Sequence, residues 1–155
     1  MTEDDTRHLR DAIAVAWSAR RGGNHPFGAV LVDAAGQVLL RAENSVLTGR
    51  DLTGHAETNL VRLASARLSP EELAACTMYA STEPCAMCAG AIHWARVGRL
   101  VFGLSAAELR ELVGPRPDDL RLPCREVFAR SGRPMEVVGP ALEAEARAVH
   151  AGFWR

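Results

Sequence analysis

"CTMYASTEPCAMCAGAIHWARVGRLVFGL", residues 76–104, carries a strand, a helix and a second strand in direct succession. "CTMYAST" (76–82) reads as a short buried strand. Pro84 then opens a helix over about 85–96; proline is tolerated in a first turn because the N–H it lacks has no partner there. "GRLVFGL" (98–104) is the next strand. A helix between two strands returns the chain to the same end of the sheet, so the two strands pair in parallel. The helix is apolar on almost every face, which calls for cover on both sides: the sheet on one, a second subunit on the other.

The rest of the chain extends this unit in both directions. Leu9, Ile13, Ala16 and Trp17 stand at helical spacing within 6–21, and Gly22-Gly23 ends that helix. "PFGAVLVDAAGQVLLRAEN" reads as two strands, 27–33 and 37–43, joined by a turn at Gly36. A second helix spans 54–68, with Leu60, Val61, Leu63 and Ala64 as its expected buried stripe. Residues 105–134 are looser, with helical stretches around the break Gly114-Pro115-Arg116-Pro117. "MEVVG" (135–139) is a last strand, followed by a helix over 141–151 and the tail Gly152-Phe153-Trp154-Arg155. The order α-β-β-α-β-α-β-α-β-α implies an α/β fold: a three-layer α/β/α sandwich whose five-stranded mixed sheet begins with a hairpin and has helices on both faces. Residues 1–155 are expected to form one domain.

Composition narrows the functions. A formal charge of −1 gives no electrostatic case for a nucleic-acid or membrane surface. All basic residues are arginine, which in so alanine-rich a chain reads as coding bias rather than as a phosphate grip. No apolar run approaches the roughly 20 residues of a membrane span, and the acidic start Met-Thr-Glu-Asp-Asp is unlike a secretory signal. The expected compartment is therefore the reducing cytoplasm, where four cysteines do not make a disulfide framework.

Two of those cysteines carry the chemistry. Cys85 and Cys88, three apart in the first turn of a helix, point the same way, and the helix dipole there favours thiolates. Alone, the pair reads equally as a redox motif, as packing or as half a metal site. "TGHAETNL" (53–60) adds His55 near another helix start, and two thiolates with one imidazole suit zinc. Three protein ligands leave the fourth tetrahedral position open to water, the catalytic rather than the structural arrangement. Glu57, two residues from His55, does not share its helix face; it is placed to handle protons on the other side of that water. Read alone, Glu57 is a solvated glutamate favouring the helix dipole.

His55-x-Glu57 with Pro84-Cys85-x-x-Cys88 resembles the zinc deaminases of the cytidine-deaminase superfamily. "PFGAVLV", Asn44, "HAE", "EPCAMCAGAI" and "RLVFG" fall in the family's order over most of 6–104. The branch resembled holds bacterial guanine deaminases, fungal cytosine deaminases and tRNA adenosine deaminases. The resemblance implies a cytidine deaminase-like fold, one Zn²⁺ per chain with a bound water or hydroxide, and a homodimer. It implies hydrolytic deamination, with Glu57 shuttling protons and ammonia leaving. It also implies that Asn44 bonds the base, Phe27 lines its face and the Ala56 backbone helps to recognise the ring. Without the family, Asn44 is a turn residue and Phe27 a core residue.

The substrate is less defined. "GNHPFGAV" and "AIHWAR" are similar to guanine deaminases, which places Trp94 near the pocket and makes guanine, converted to xanthine, the first expectation. Asp118 or Asp119 then binds the purine edge; otherwise they are loop aspartates. Ala56 stands where fungal cytosine deaminases have glycine. "LSAAELRELVGPRPDDL" differs from the stretch usual in tRNA adenosine deaminases, and the basic balance for tRNA phosphates is missing. Cytosine, a free nucleoside, a triazine and tRNA adenosine remain alternatives, with a structural-zinc assembly domain as the non-enzymatic one. Phe153 and Trp154 need a docking place, and in relatives such a segment closes the pocket, so residues 141–155 are expected to do so here. His25 and His93 are further pocket candidates, and Cys76 and Cys124 read as buried thiols.

Overall fold

In the computed structural model, residues 1–154 are described; Arg155, the last residue of the expected tail, lies outside them. The elements are α1 (Glu3–Arg21), β1 (Gly28–Val32), β2 (Val38–Glu43), α2 (Ala56–Ser65), α3 (Pro70–Ala74), β3 (Thr77–Thr82), α4 (Ala86–Trp94), β4 (Arg99–Leu104), α5 (Ala106–Val113), α6 (Cys124–Ala129), β5 (Glu136–Val138) and α7 (Glu143–Ala148). The sheet order is β2-β1-β3-β4-β5. β1 pairs antiparallel with β2 and with β3, whereas β3/β4 and β4/β5 are parallel, so the expected mixed five-stranded sheet is present.

The central strands are buried on both faces, and alternation sends their side chains into two cores. Ala29, Leu31, Met78, Ala80, Leu100 and Phe102 meet Leu60 of α2, Ile92 of α4 and Phe128 of α6. Val30, Val32, Tyr79 and Val101 meet Leu9 and Ile13 of α1, with Ala146 of α7. Small residues let α1 lie close to the sheet. A Cβ on Gly28 would come within 2.5 Å of the Ala12 carbonyl oxygen and the Ala16 nitrogen, so β1 begins where the helix backbone crosses it.

Several boundaries differ from the sequence expectation. α1 starts three residues early because Thr2 and Asp5 form a capping box, each side chain bonding the other's backbone N–H. The expected helix 54–68 is shorter and is followed by α3, which Ser69 and Glu72 cap in the same way. Leu63, expected in the stripe, is 40% exposed. The buried arc of α2 runs through Ala56, Glu57, Leu60 and Ala64, and Leu63 falls just outside its edge. The expected helix 141–151 is regular only over 143–148, because Leu142 at its N-cap adopts a left-handed conformation, φ 50°.

A buried ion pair ties α1 to the sheet. Asp5 accepts hydrogen bonds from Arg99 Nη1 (2.6 Å) and Nη2 (3.0 Å), Tyr79 Oη (2.8 Å) and Thr2 N (2.9 Å). The Arg99 hydrogen bonds hold the Asp5 carboxyl well below the usual carboxylate range, and burial pushes the Tyr79 phenol up. Replacing Asp5 by Asn is expected to cost about 2 kcal/mol at pH 7, because Arg99 keeps its charge and is left with Glu136, on the exposed side, as its one carboxylate partner. Since the folded pKa is depressed, the carboxylate's contribution is complete above the unfolded value of about 4 and is lost progressively as pH falls from there through the much lower folded value. Thermal melts should therefore show a constant gap between wild type and Asp5→Asn from pH 7 to about 5 that begins to narrow only as pH falls below about 4; a gap already closing between about pH 7 and 5 would refute the assignment.

Candidate active site

The chain between β2 and α2 is shaped to deliver one histidine. Asp51 Oδ1 accepts the Thr53 N–H (2.9 Å) and hydroxyl (2.7 Å), forming a tight turn. Asn59 Nδ2 donates to the Glu43 carbonyl oxygen and Ser45 Oγ, both at 2.9 Å, pinning the loop to the end of β2. A Cβ on Gly54 would lie 2.8 Å from Ser45 Oγ, so the loop closes this tightly only with glycine there. His55 is thereby the N-cap residue of α2, with extended backbone and no capping bond from its side chain.

α4 starts in the same way. Cys85 is its N-cap residue, with the thiol making no capping bond, and Cys88 lies one turn along, fully buried. α2 packs against α4, and their N-terminal ends converge. His55 Nδ1 lies 3.5 Å from both Cys85 Sγ and Cys88 Sγ. Zinc bonds of about 2.3 Å to sulfur and about 2.0–2.1 Å to nitrogen, at a tetrahedral angle, would separate the two atoms by about 3.6 Å. The three donors fit one zinc ion, and they form the one group of three or more metal-binding side chains found among the described residues.

The three donors differ in protonation: Cys85 is held as a thiolate, whereas Cys88 and His55 are raised, so a metal bound there would displace their protons. A hydrogen bond from the Cys88 thiol, assisted by His55, pulls the Cys85 thiol down to about 4, and the Cys85 contact raises His55. Glu57, on the first turn of α2, is 5% exposed and accepts a hydrogen bond from Cys88 Sγ at 3.3 Å. Burial raises its pKa.

His55 opens onto a cavity of about 370 Å³, within the range of small-molecule sites. Its near wall is His25, Phe27, Val46 and Leu52; its far wall is Leu109, Arg110, Val113, Gly114, Arg116 and Asp119; Trp154 closes one side. Trp154 is fixed by its indole N–H, which donates to His150 Nδ1 at 3.0 Å, and the Arg116 guanidinium lies 5.9 Å from its ring. Burial lowers His150 to about 4, so its ring is neutral and accepts that bond.

Of the residues singled out in the sequence, His55, Phe27, Asp119, Trp154 and the additional His25 line this cavity. Ala56 is buried at the start of α2. Asn44 is buried beside the site, its Oδ1 accepting the Val46 N–H at 3.1 Å. Phe153 is half-buried and packs on Trp154 and His25 rather than facing the cavity. Asp118 is exposed and off the lining. Trp94 does not reach the pocket and is 82% exposed. Six residues beyond Cys88, it has turned about 240° around the helix and faces outward. His93 packs on Trp94, also away from the cavity. Sequence reasoning missed most of the far wall, although Leu109 and Val113 stand four apart on α5. It also missed Asn59, whose polar side chain within a helix was the available signal.

Residues 2–104 match the family model for the cytidine and deoxycytidylate deaminase zinc-binding region, and the chain belongs to that family of hydrolytic deaminases. It is 44% identical to the probable cytosine deaminase of Schizosaccharomyces pombe over 157 aligned residues, covering 99% of this chain and 94% of that protein. It is 42% identical to the guanine deaminase of Bacillus subtilis over 104 residues, 66% of each chain. Its structure is similar to that of the guanine deaminase from Nitrosomonas europaea, with a TM-score of 0.77 and 25% identity over 92% of this chain and 80% of the other. No helix among the described residues is long and apolar enough to cross a membrane.

Metal analysis of the purified protein should find about one zinc per chain, by the ligand count. Cys88→Ser should lose most of it and melt at a lower temperature, because metal bound to the native state alone stabilises that state. A Cys88→Ser protein with full zinc content would contradict the ligand set.

Proposed function

We propose that this deaminase acts on a small free nucleobase, with Glu57 as its proton carrier. The observation that carries the reading is the meeting of His55, Cys85 and Cys88 around one point, with the buried Glu57 carboxylate against Cys88. Zinc held there by His55, Cys85 and Cys88 would supply Lewis-acid activation of a water molecule. Glu57 carries two protons in turn, one from the attacking water to the ring nitrogen and one from the hydroxyl so added to the amine, which leaves as ammonia; its raised pKa suits a group that must both accept and give. Phe27 and Trp154 stack along the ring, and His25, Arg110 and Asp119 supply polar contacts around it. Asn44 orients the ring from beside His55. A structural-zinc domain would have no use for an open cavity at the metal ligands or for a buried glutamate beside them.

Cytosine is placed first among substrates, ahead of the guanine expected from the sequence motifs. Sequence similarity to the probable cytosine deaminase, 44% identical, runs over nearly the whole chain, through α5 and the tail that build the pocket wall; the match to the Bacillus subtilis guanine deaminase covers two thirds, and the Nitrosomonas europaea guanine deaminase, which spans 92%, is 25% identical. Guanine is the second reading, favoured by Arg110 and Arg116, whose guanidinium forks match the paired O6 and N7 acceptors of that base.

The protein is also proposed to be a homodimer. Met87, Gly90, Ala91 and Trp94 form an apolar stripe on the outer face of α4, with Met87 38% and Trp94 82% exposed. A Cβ on Gly90 would meet nothing within 4 Å, which leaves room for a second helix to approach closely.

Purified enzyme incubated with cytosine, guanine, adenine, their nucleosides and an aminotriazine should release ammonia fastest from cytosine. Glu57→Gln should keep its zinc and lose at least about 10²-fold in kcat. Normal turnover in that variant would remove Glu57 from the mechanism, and a nucleoside preferred over every free base would refute the substrate class. Sedimentation should give a dimer for wild type and a monomer for Trp94→Glu.

A further inference from the structure

Glu83 stands two residues before the ligand Cys85, and its side chain faces away from the metal donors toward the next stretch of chain. Oε2 accepts the Ala106 N–H at 2.9 Å and Oε1 accepts the Cys124 N–H at 3.1 Å. Its own N–H donates to the Leu104 carbonyl oxygen at 2.7 Å. Ala106 is the first residue of α5, and Cys124 the first of α6. First-turn N–H groups have no partner within their own helix. In α5, Ser105 serves only the Glu108 N–H; in α6 the N-cap is Pro123, whose side chain has no hydrogen-bond acceptor to offer.

The two accepted bonds bracket residues 106–124. Every far-wall residue of the cavity, from Leu109 to Asp119, lies between them. Within α5, Leu109 and Leu112 pack on the core beneath α1 and Glu108 pairs with Arg147, but residues 115–123 are exposed loop, where Asp119 meets Arg110 and Arg121 only at 3.8 and 3.6 Å. We propose that Glu83 is a positioning residue that pegs both ends of the far wall to the metal-ligand turn. One carboxylate thereby sets the distance between the reacting end of the pocket and the wall that receives the ring's opposite edge. The claim rests on the nucleobase-deaminase reading for its effect on substrate, but the pegging itself is a property of this chain.

Glu83→Gln keeps the shape of the side chain and presents an NH₂ group to one of two N–H donors, so one end of the segment is released. In the zinc-loaded protein, amides across 106–124 should exchange with solvent at least about tenfold faster, as expected for loss of a charge-assisted bond. Amides in β1, β3 and β4 and the zinc content should not change. With the preferred base, KM should rise by a larger factor than kcat falls, whereas a merely structural role would lower the melting temperature and leave KM alone. Glu83→Asp keeps the charge but is one methylene too short to span both donors, and it supplies the same comparison if the glutamine variant does not fold. Unchanged exchange across 106–124, or an unchanged KM in a folded variant, overturns the proposal. Absence of turnover by wild type on every base would refute the substrate reading, and the exchange comparison would still decide the role of Glu83.

Discussion

Two helix N-termini, those of α2 and α4, are aimed at one another, and the rest of the molecule is arranged around that encounter. Each carries partial positive charge and unsatisfied N–H groups, so the approach is unfavourable unless negative charge lies between them. The Cys85 thiolate supplies that charge, and neither His55 nor Cys85 spends its side chain on capping its own helix. That thiol, held deprotonated chiefly by the Cys88 hydrogen bond and His55, is what makes the point attractive to a divalent metal. Both helices rest on one face of the sheet, against Met78, Ala80, Leu100 and Phe102, and this shared floor fixes their meeting point.

The opposite face carries no chemistry of this kind and acts as a counterweight. There α1 lies close over the central strands through alanines at 12 and 16, with the Asp5–Arg99–Tyr79 network closing one end. Having strands buried on both sides makes the sheet a rigid partition. Rigidity in that partition is what three donors on two separate helices need in order to hold 3.5 Å separations.

The part of this design that was legible in the sequence is the part that local rules control. Pro84 before Cys85, the hairpin turn at Gly36 and the apolar run "LVFGL" each announce their element without reference to anything distant. The metal donors were legible because cysteine and histidine at such spacing have few other uses. The far wall was not, because α5 and the loop after it are placed by a glutamate more than twenty residues upstream, and nothing in 105–124 advertises that partner. Trp94 misled for a related reason: an aromatic beside a ligand helix suggests a pocket, but helical rotation turns it outward. The capping boxes at Thr2 and Ser69 were readable, and attention to hydrophobic spacing alone passed over them.

The division of the pocket between early and late chain also has a temporal side. Synthesis runs from the N-terminus, and domains begin to fold as they emerge. His55, Cys85 and Cys88, with three of the five strands, leave the ribosome before any of the far wall or Trp154 has been made. A nascent chain thus holds its metal donors while nothing yet encloses a ring beside them.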